Sequence, residues 1–517
     1  MHPLRLSLFA LLFLAVFSVE DAEAETLVVD IHGNGTFVSI QDALDASVIG
    51  DTIRVWNGTY NENVEINHTL NLIGNGSASL IIYEGNAAET GVDVVRINAE
   101  WVNLSGFKIK GGYNGINLGD SSYVTISDSL VTDNNIGIRC SKCNYTIIKN
   151  STITENKQIG IGLSRSSQNN INNNTVSGND YGIKLEYGNH SKISDNIIIE
   201  NDYGIYTSYS SSNKVIGNTI LENERGILIS LSKFNTVYKN TVTEHVEYGV
   251  FMFEEEYCTV SDNFISNGDK ISIVLGSSLN CNVSNNTLMF NHMNGINLHL
   301  SDDNIIYNNT ITEHKYALVI DESDRNSFRE NNISHNLKNG IMIQKSNNNL
   351  ISDNYVSDND QWGMTSDKEI IAQHNWWGHE TGPYHPELNP NGLGDEVSDN
   401  IDFSNWIGYV DSDNDGVQDY YDDCPNSEEE VNDSGCSLSQ RDSDGDGVTD
   451  DKDECPNVTG AGINEVGCRD KEDILEENVS DTKETPSPTE GADEGLPGFS
   501  AIMAISSIGL IARFRRR

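Results

Sequence analysis

Positive charge is what this sequence has least of: Lys and Arg number 32 against 78 Asp and Glu, leaving a formal charge of −46. That balance excludes a general electrostatic affinity for nucleic acid, because few basic side chains are there to displace counterions from phosphates. Cations are the natural partners instead. Proline is also scarce, nine in 517 residues, and apolar residues nowhere recur with the helical period. A helical solenoid is thereby excluded. Long hydrophobic runs are confined to the two ends, Leu6 to Val19 and Phe499 to Ala512, and both fall short of the roughly 20 residues a membrane span needs.

The two ends read as targeting segments. Arg5 precedes the first apolar run, and Ala22-Glu23-Ala24 supplies the small-x-small pattern of a cleavage site before Glu25, so residues 1–24 are expected to be a signal peptide. The second run ends in Arg513, Phe514, Arg515, Arg516 and Arg517, the charge arrangement of a tail whose last residues stay cytoplasmic. Leu496-Pro497-Gly498-Phe499, the apolar run and the basic end together resemble the PGF-CTERM sorting signal of archaeal surface proteins. That resemblance implies that residues 496–517 are cut off and replaced by a lipid; an ordinary short anchor would give the same cell-surface location. Eight cysteines, an even number, favour disulfides in an exported chain. Sequons such as Asn57-Gly-Thr, Asn67-His-Thr, Asn144-Tyr-Thr, Asn285-Asn-Thr and Asn457-Val-Thr permit glycosylation.

An internal period decides the fold class. Small residues recur every 22 or 23 positions at Gly115, Gly137, Gly160, Gly182, Gly204, Gly226, Gly249, Ser272, Gly295, Ala317, Gly340 and Gly363. A second register keeps step with them at Asn196, Asn218, Asn240, Asn263, Asn286, Asn309, Asn331 and Asn354. Apolar residues follow each small residue at the first and third places, as in Ile183 and Leu185 or Ile341 and Ile343, and period two means strands with one buried face. A unit this short cannot bury its own apolar face, so the units must stack, each strand bonding to its equivalent one coil along. The expectation is an all-β chain: a right-handed parallel β-helix of about 12 coils, forming a rod of roughly 60 Å. A β-propeller would need about twice the period.

Stacking accounts for the repeated Asn and Gly without invoking function. An inward Asn at a turn satisfies backbone groups and bonds to the Asn above and below, each bond contributing about 0.5–1.5 kcal/mol. Cys258 and Cys281 are one repeat apart and so occupy the same angular position, within disulfide range. Cys140 and Cys143 form a CxxC with no second Cys or His pair beside it, and a local disulfide is expected there.

The opening segments Leu27-Val-Val-Asp30, Gly35 to Leu44, Gly50 to Val55 and Gly58 to Val64 resemble the start of pectinesterases and NosD-like β-helix proteins. The resemblance implies a short helix around Ser39 to Ser47 that covers the first coil. Asn375-Trp-Trp-Gly378, Gly382-Pro383, Gly394-Asp395, Val397 to Phe403 and Trp406 resemble the closing cap of archaeal NosD-like surface proteins, whose buried aromatics shield the open sheet end. Together the resemblance spans residues 26–408. It is specific for fold and not for activity, since this fold hosts lyases, hydrolases, esterases and binding proteins. Neither the Asp and Arg arrangement of pectinesterases nor the Asp-Asp and Gly-His-Gly motifs of polygalacturonases is present. Asp302-Asp303 is the nearest approach, and no catalytic residue is assigned.

Two outward features suit ligands. Tyr181, Tyr203, Tyr248, Tyr316 and Trp362 stand just before the small residue, a line of aromatics suited either to pyranose faces or to a structural ring ladder filling the turns. His292 and His314, one coil apart, with Glu313 and His335 nearby, are either a copper site, which the NosD resemblance would suit, or scattered surface histidines, the preferred reading.

Beyond the rod, Asp411, Asp413, Asp415, Gly416, Asp419 and Asp422 return as Asp442, Asp444, Asp446, Gly447, Asp450 and Asp453, each set followed by a Cys-Pro. Carboxylates at alternate positions before a Gly turn wrap one calcium ion without needing a large core, and Val417 and Val448 would add backbone carbonyls. The pattern resembles thrombospondin type 3 repeats, which implies bound Ca²⁺ and disulfides pairing Cys424 with Cys436 and Cys455 with Cys468. The expected organisation is therefore a signal peptide (1–24), the capped β-helix (25–408), two calcium repeats (409–470), an acidic tether (471–495) and the sorting segment (496–517). As a function this implies a membrane-anchored surface protein that binds extracellular glycans, mediates adhesion or builds surface structure. The rival is a calcium-dependent polysaccharide lyase or glycoside hydrolase.

Overall fold

The computed structural model describes residues 24–76, 79–82 and 91–408, with short stretches between 424 and 454. The chain divides into two compact units, 1–409 and 410–517. The first is the expected parallel β-helix. Each coil passes through three sheets in turn, for example Thr125–Ser127, Leu130–Thr132 and Ile136–Ser141, before the next coil repeats them at Ile147–Lys149. Sheet one has 15 strands, sheets two and three 14 each, and each strand pairs in parallel with its equivalent one coil away. The small-residue register counts only 12 coils because the coils before Gly115 lack it.

The period-two pattern becomes three apolar ladders facing one core. Ile126, Ile148 and Ile171 stack in sheet one, Val131, Ile153 and Val176 in sheet two, and Ile116, Ile138 and Ile161 in sheet three, all buried. At about 25 cal/mol per Å² of apolar surface, these side chains are the main stabilising term. The register glycines are there for room: a Cβ on Gly137 would lie 2.6 Å from the carbonyl oxygen of Gly160, and one on Gly204 would lie 2.7 Å from that of Gly226.

The corner between sheets one and two holds the expected Asn ladder. From Asn196 to Asn375, each side-chain NH₂ donates to the next Oδ1 at 2.9–3.0 Å. Asn375 belongs to the closing cap, so the cap continues the ladder. A second ladder, at the turn into sheet three, begins Asn134, Asn156, Asn179, Asn201, Asn223 and ends where Asn359 donates to Asp395 of the cap at 2.7 Å.

Both caps form as the resemblance implied. A helix over Ile40–Ala46 lies on the first coil through Ile40, Ala43 and Leu44, and its Ser39 N-cap accepts from Asp42 N–H. The Glu62 carboxylate accepts the N–H groups of Ile40 and Gln41 at 3.0 and 2.9 Å, the favoured charge at a helix N-terminus. At the far end Trp376, Trp377 and Phe403 are buried over the last coil. Cys258 pairs with Cys281 (Cα–Cα 4.5 Å) and Cys140 with Cys143 (5.8 Å).

Candidate functional site

The outward positions of sheet three carry the aromatic residues. Inward Ile205 and Thr207 alternate with outward Tyr203 and Tyr206, and inward Val250 and Met252 with outward Tyr248, Phe251 and Phe253. Here sheet three is widest, with the nine-residue strands Arg225–Lys233 and Tyr248–Glu256.

The five aromatics expected in line do share one register, yet they make no continuous ladder. Tyr181 and Tyr203 stack at 4.8 Å, and Arg225 then takes the next place with its guanidinium 4.7 Å from the Tyr203 ring. Arg225 is held by Glu247 at 2.7 Å and Glu224 at 3.1 Å. Tyr248 comes one coil later, its hydroxyl pushed above the ordinary tyrosine range by burial. Tyr316 lies under Lys315 and Lys338, while Trp362 pairs in register with Asn339.

Three further aromatics complete the face. Tyr206 meets Tyr181 and Tyr203 edge-on at 76° and 85°. Phe251 stands at 73° to Tyr248 and 69° to Phe253. Stacked rings cover each other's faces, whereas the crossed rings of Tyr206 and Phe251 are turned out of that stack. Lys184 lies over Tyr181 and Tyr206 and pairs with Glu186 at 3.2 Å. The place before the small residue is thus only part of the face; alternation two positions past that small residue is the sequence signal that marks Tyr206 and Phe251. Separate stacks, Trp101–Tyr123–Tyr145, Tyr187–Tyr209 and Phe234–Tyr257, line the loops leaving sheet three.

The histidines do not assemble as a copper site would require. His314 points into the core, its Nε2 2.9 Å from Ser272 Oγ. His292 points outward beside Asp269, at 3.6 Å, and His335 is exposed at a corner. Inward and outward positions alternate too closely for one-coil spacing alone to bring two side chains together. His314 instead replaces an Asn in the second ladder, as does His245. Burial holds His245 down to about 4 and His314 to about 3, so both imidazoles are neutral. The His245 ring fills the room left by Gly268, where any Cβ would collide with it.

Asp302 and Asp303 are both bound by Arg325 from the next coil, at 3.1 and 2.8 Å, and that hydrogen-bonded guanidinium holds Asp303 below the ordinary carboxylate range. They form a corner ion pair, unlike a catalytic pair, which needs one acid and one base. Two hollows of about 330 and 210 Å³, one lined by Asn98, Glu100 and Asp120 and the other by Glu65, Asp93 and Arg96, lie apart from the aromatic face. Among the described residues no group of three or more His, Cys, Asp or Glu converges as a metal site.

Of the calcium positions, Asp411, Asp413, Asp415, Val417, Asp419, Asp422, Asp444 and Asp446 lie outside the described residues, as do Cys455 and Cys468. Cys424 is bonded to Cys436, with Cα atoms 5.0 Å apart. Asp442 Oδ2 accepts the Gly447 N–H at 2.8 Å, and Gly447 has φ +93°, the tight reversal such a loop needs. Asp450 accepts from Ser443 N–H and Oγ, both at 2.8 Å, and lies 3.2 Å from Arg441 Nε as an ion pair; the Ser443 bonds are the main reason it lies below the usual carboxylate range. Asp453 and Val448 are described nearby. An oxygen-rich loop reversing at a Gly suits a hard cation.

Comparison with known proteins agrees with this architecture. Residues 90–242 match the family described as right-handed beta helix region, and residues 220–386 match periplasmic copper-binding protein (NosD). Residues 410–431 and 435–462 match thrombospondin type 3 repeats. A "Cell surface glycoprotein" of Methanothermus fervidus is 32% identical over 123 residues, which is 23% of this chain and 20% of that protein. Among solved structures, bacteriophage phi29 gene product 12 superposes with a TM-score of 0.52 at 14% identity, covering 60% of this chain and 53% of its own. The Azotobacter vinelandii mannuronan C-5 epimerase AlgE4 A-module gives 0.35 at 16% identity, covering 65% and 94%. This chain folds as a right-handed parallel β-helix, similar over residues 220–386 to the NosD family, and residues 410–431 and 435–462 are similar to thrombospondin type 3 repeats.

Proposed function

We propose that this is an exported cell-surface protein whose rod presents its aromatic face to extracellular glycans without chemistry of its own. The observation that carries this is the outward set Tyr203, Tyr206, Tyr248 and Phe251, with the paired charges Lys184–Glu186 and Arg225–Glu247 at its side. Crossed rings give apolar faces for pyranose C–H groups, and the charged rim can hydrogen-bond hydroxyls. Lys184 and Arg225 are each paired, while at the edge of the same face burial and the neighbouring Asp202 push the Asp180 carboxyl up. The partial likeness to a cell surface glycoprotein supports the location.

In this reading residues 1–24 direct export, and Asp411, Asp413, Asp415, Val417, Asp419, Asp422 and their counterparts from Asp442 to Asp453 hold calcium, stiffening a stalk. Residues 471–495 act as a tether, and residues 496–517 attach the chain to the membrane, directly or through a lipid. The resemblance to a copper-binding family finds no support in His292 and His314, which diverge.

The test incubates the full exported protein with neutral and acidic polysaccharides, with and without calcium, scoring retention and new chain ends together. Retention without new ends is expected. New chain ends would replace this reading with the lyase or hydrolase; neither retention nor cleavage would leave a structural rod.

A further inference from the structure

A column of side chains runs beside the aromatic register, formed by the residue immediately before it in each coil. In chain order it reads Asp180, Asp202, Glu224, Glu247, Lys270, Met293, Lys315, Lys338. Parallel pairing of the residues that follow, Tyr181 with Tyr203, Tyr203 with Arg225, Arg225 with Tyr248, Tyr248 with Ile271 and Tyr316 with Asn339, sets these side chains on successive coils. Met293 joins the series through backbone bonds to Lys270 and Lys315. All are exposed or half-buried. Acids thus hold one half of the column and lysines most of the other.

The centre of the column is paired within the chain, and its ends are not. Glu224 lies 3.1 Å from Arg225, and Lys270 lies 3.9 Å from Glu247. Among the described residues no cation pairs with Asp180 or Asp202, and no carboxylate pairs with Lys315 or Lys338. Asp180 and Asp202 stand on neighbouring coils, about 4.8 Å apart along the rod, where burial and the like charge of Asp202 push the Asp180 carboxyl up. Lys315 and Lys338 share one ring, 5.3 and 6.0 Å from the centre of Tyr316. Like charges side by side are destabilising, so each end is complementary to opposite charge from outside the chain. A polymer of one sign would suit one end and be repelled by the other.

We infer that this column is a contact between two copies of this chain, set antiparallel. Acids first and lysines last make the column its own complement under a two-fold rotation. With the axis across the rod between Glu247 and Lys270, Asp180 meets Lys338 of the second copy, Asp202 meets Lys315 and Glu247 meets Lys270. Glu224, already held by Arg225, meets the uncharged Met293. In the next register Tyr203 meets Tyr316, and Tyr248 meets Ile271. The net charge of −46 repels copies elsewhere, whereas along this strip the four carboxylates are matched by Arg225 and three lysines. Such an axis lies in the plane of the contact, so sheet three of both copies turns to the same side. Tyr206 and Phe251, three positions along their strands from the contact, stay open, and the inference does not depend on the glycan reading.

Zero-length carbodiimide cross-linking of the full exported protein, read by peptide mass spectrometry, tests this. Within one rod Asp202 and Lys315 are five coils apart, roughly 24 Å, and Asp180 and Lys338 seven coils, roughly 34 Å, so links between them form only between copies. Both links are expected, in a species of twice the monomer mass. In sedimentation, the double variants Asp180→Lys with Asp202→Lys, and Lys315→Asp with Lys338→Asp, should each self-associate about thirtyfold more weakly, because four contacts turn repulsive. Mixed together, the two variants should bind each other as tightly as the parent binds itself, since every contact returns with its signs exchanged. Absence of both cross-links, failure of the mixed variants to associate, or unaltered self-association of either variant alone would each overturn the inference.

Discussion

Asn235 donates its side-chain amide to Glu255 Oε2 at 3.1 Å, inside the wall of the rod. Elsewhere at this turn an Asn donates to the Asn of the next coil, as Asn304 does to Asn326 at 3.0 Å. Above Asn235 the next two rungs are Cys258 and Cys281, joined as a disulfide. Glu255, in a position that other coils give to Ser232, Ser278 and Ser301, supplies the acceptor that the cysteines removed. An unpaired buried amide would otherwise cost about 1–3 kcal/mol.

Burial pushes the Glu255 carboxyl up to about 7. The folded rod therefore binds this proton more tightly than the unfolded chain does, and stability from this site is full below the unfolded value near 4.5 and is lost as pH rises through 7. Glu255→Gln keeps an acceptor for Asn235 without the charge. It should match the parent near pH 4.5 and exceed it at pH 8 by on the order of 2–3 kcal/mol, read by thermal unfolding at both pH values; equal difference at both would refute the buried charge.

His245 and His314 act in the opposite direction. Both are buried neutral, at about 4 and about 3, and the charged group nearest His245 is Asp269. Their contribution is complete above the unfolded value near 6.5 and is lost as pH falls towards 4, by on the order of 3 kcal/mol for His314. His314→Asn would restore a ladder rung between Asn291 and Asn336, and should flatten the pH dependence of melting between 6.5 and 4. A slope unchanged from the parent would place the acid sensitivity elsewhere.

The Cys258–Cys281 bond closes a loop with a separation of 23 residues. Replacing both by Ser should cost about 3 kcal/mol, seen as a lowered denaturation midpoint that reductant no longer shifts. Alkylation of the unreduced native protein at any of Cys140, Cys143, Cys258 or Cys281 would contradict the pairings.

Tyr206→Ala and Phe251→Ala test the aromatic face. Each should weaken polysaccharide retention about tenfold, roughly 1.4 kcal/mol, without changing the circular dichroism spectrum. Loss of neither would move binding to the corner stacks such as Tyr187–Tyr209.

Much of this molecule is dictated by sequence alone, because a solenoid makes long-range structure periodic. Gly137 and Gly160 stand 23 residues apart, and their stacking is required by the need to bury a face the unit cannot bury by itself. The Asn ladder and the Cys258–Cys281 bond are legible for the same reason, whereas the two caps are legible only through the resemblance of the end segments to NosD-like proteins. Tertiary structure alone decided which way each side chain faces at a turn, where left-handed corners interrupt the strand alternation. That is why His292 and His314 diverge, why Arg225 breaks the tyrosine column, and why the Thr146 hydroxyl two residues beyond Asn144 is buried. Period sets the angular position of a residue around the rod; packing at the corner sets whether its side chain meets the core or the solvent.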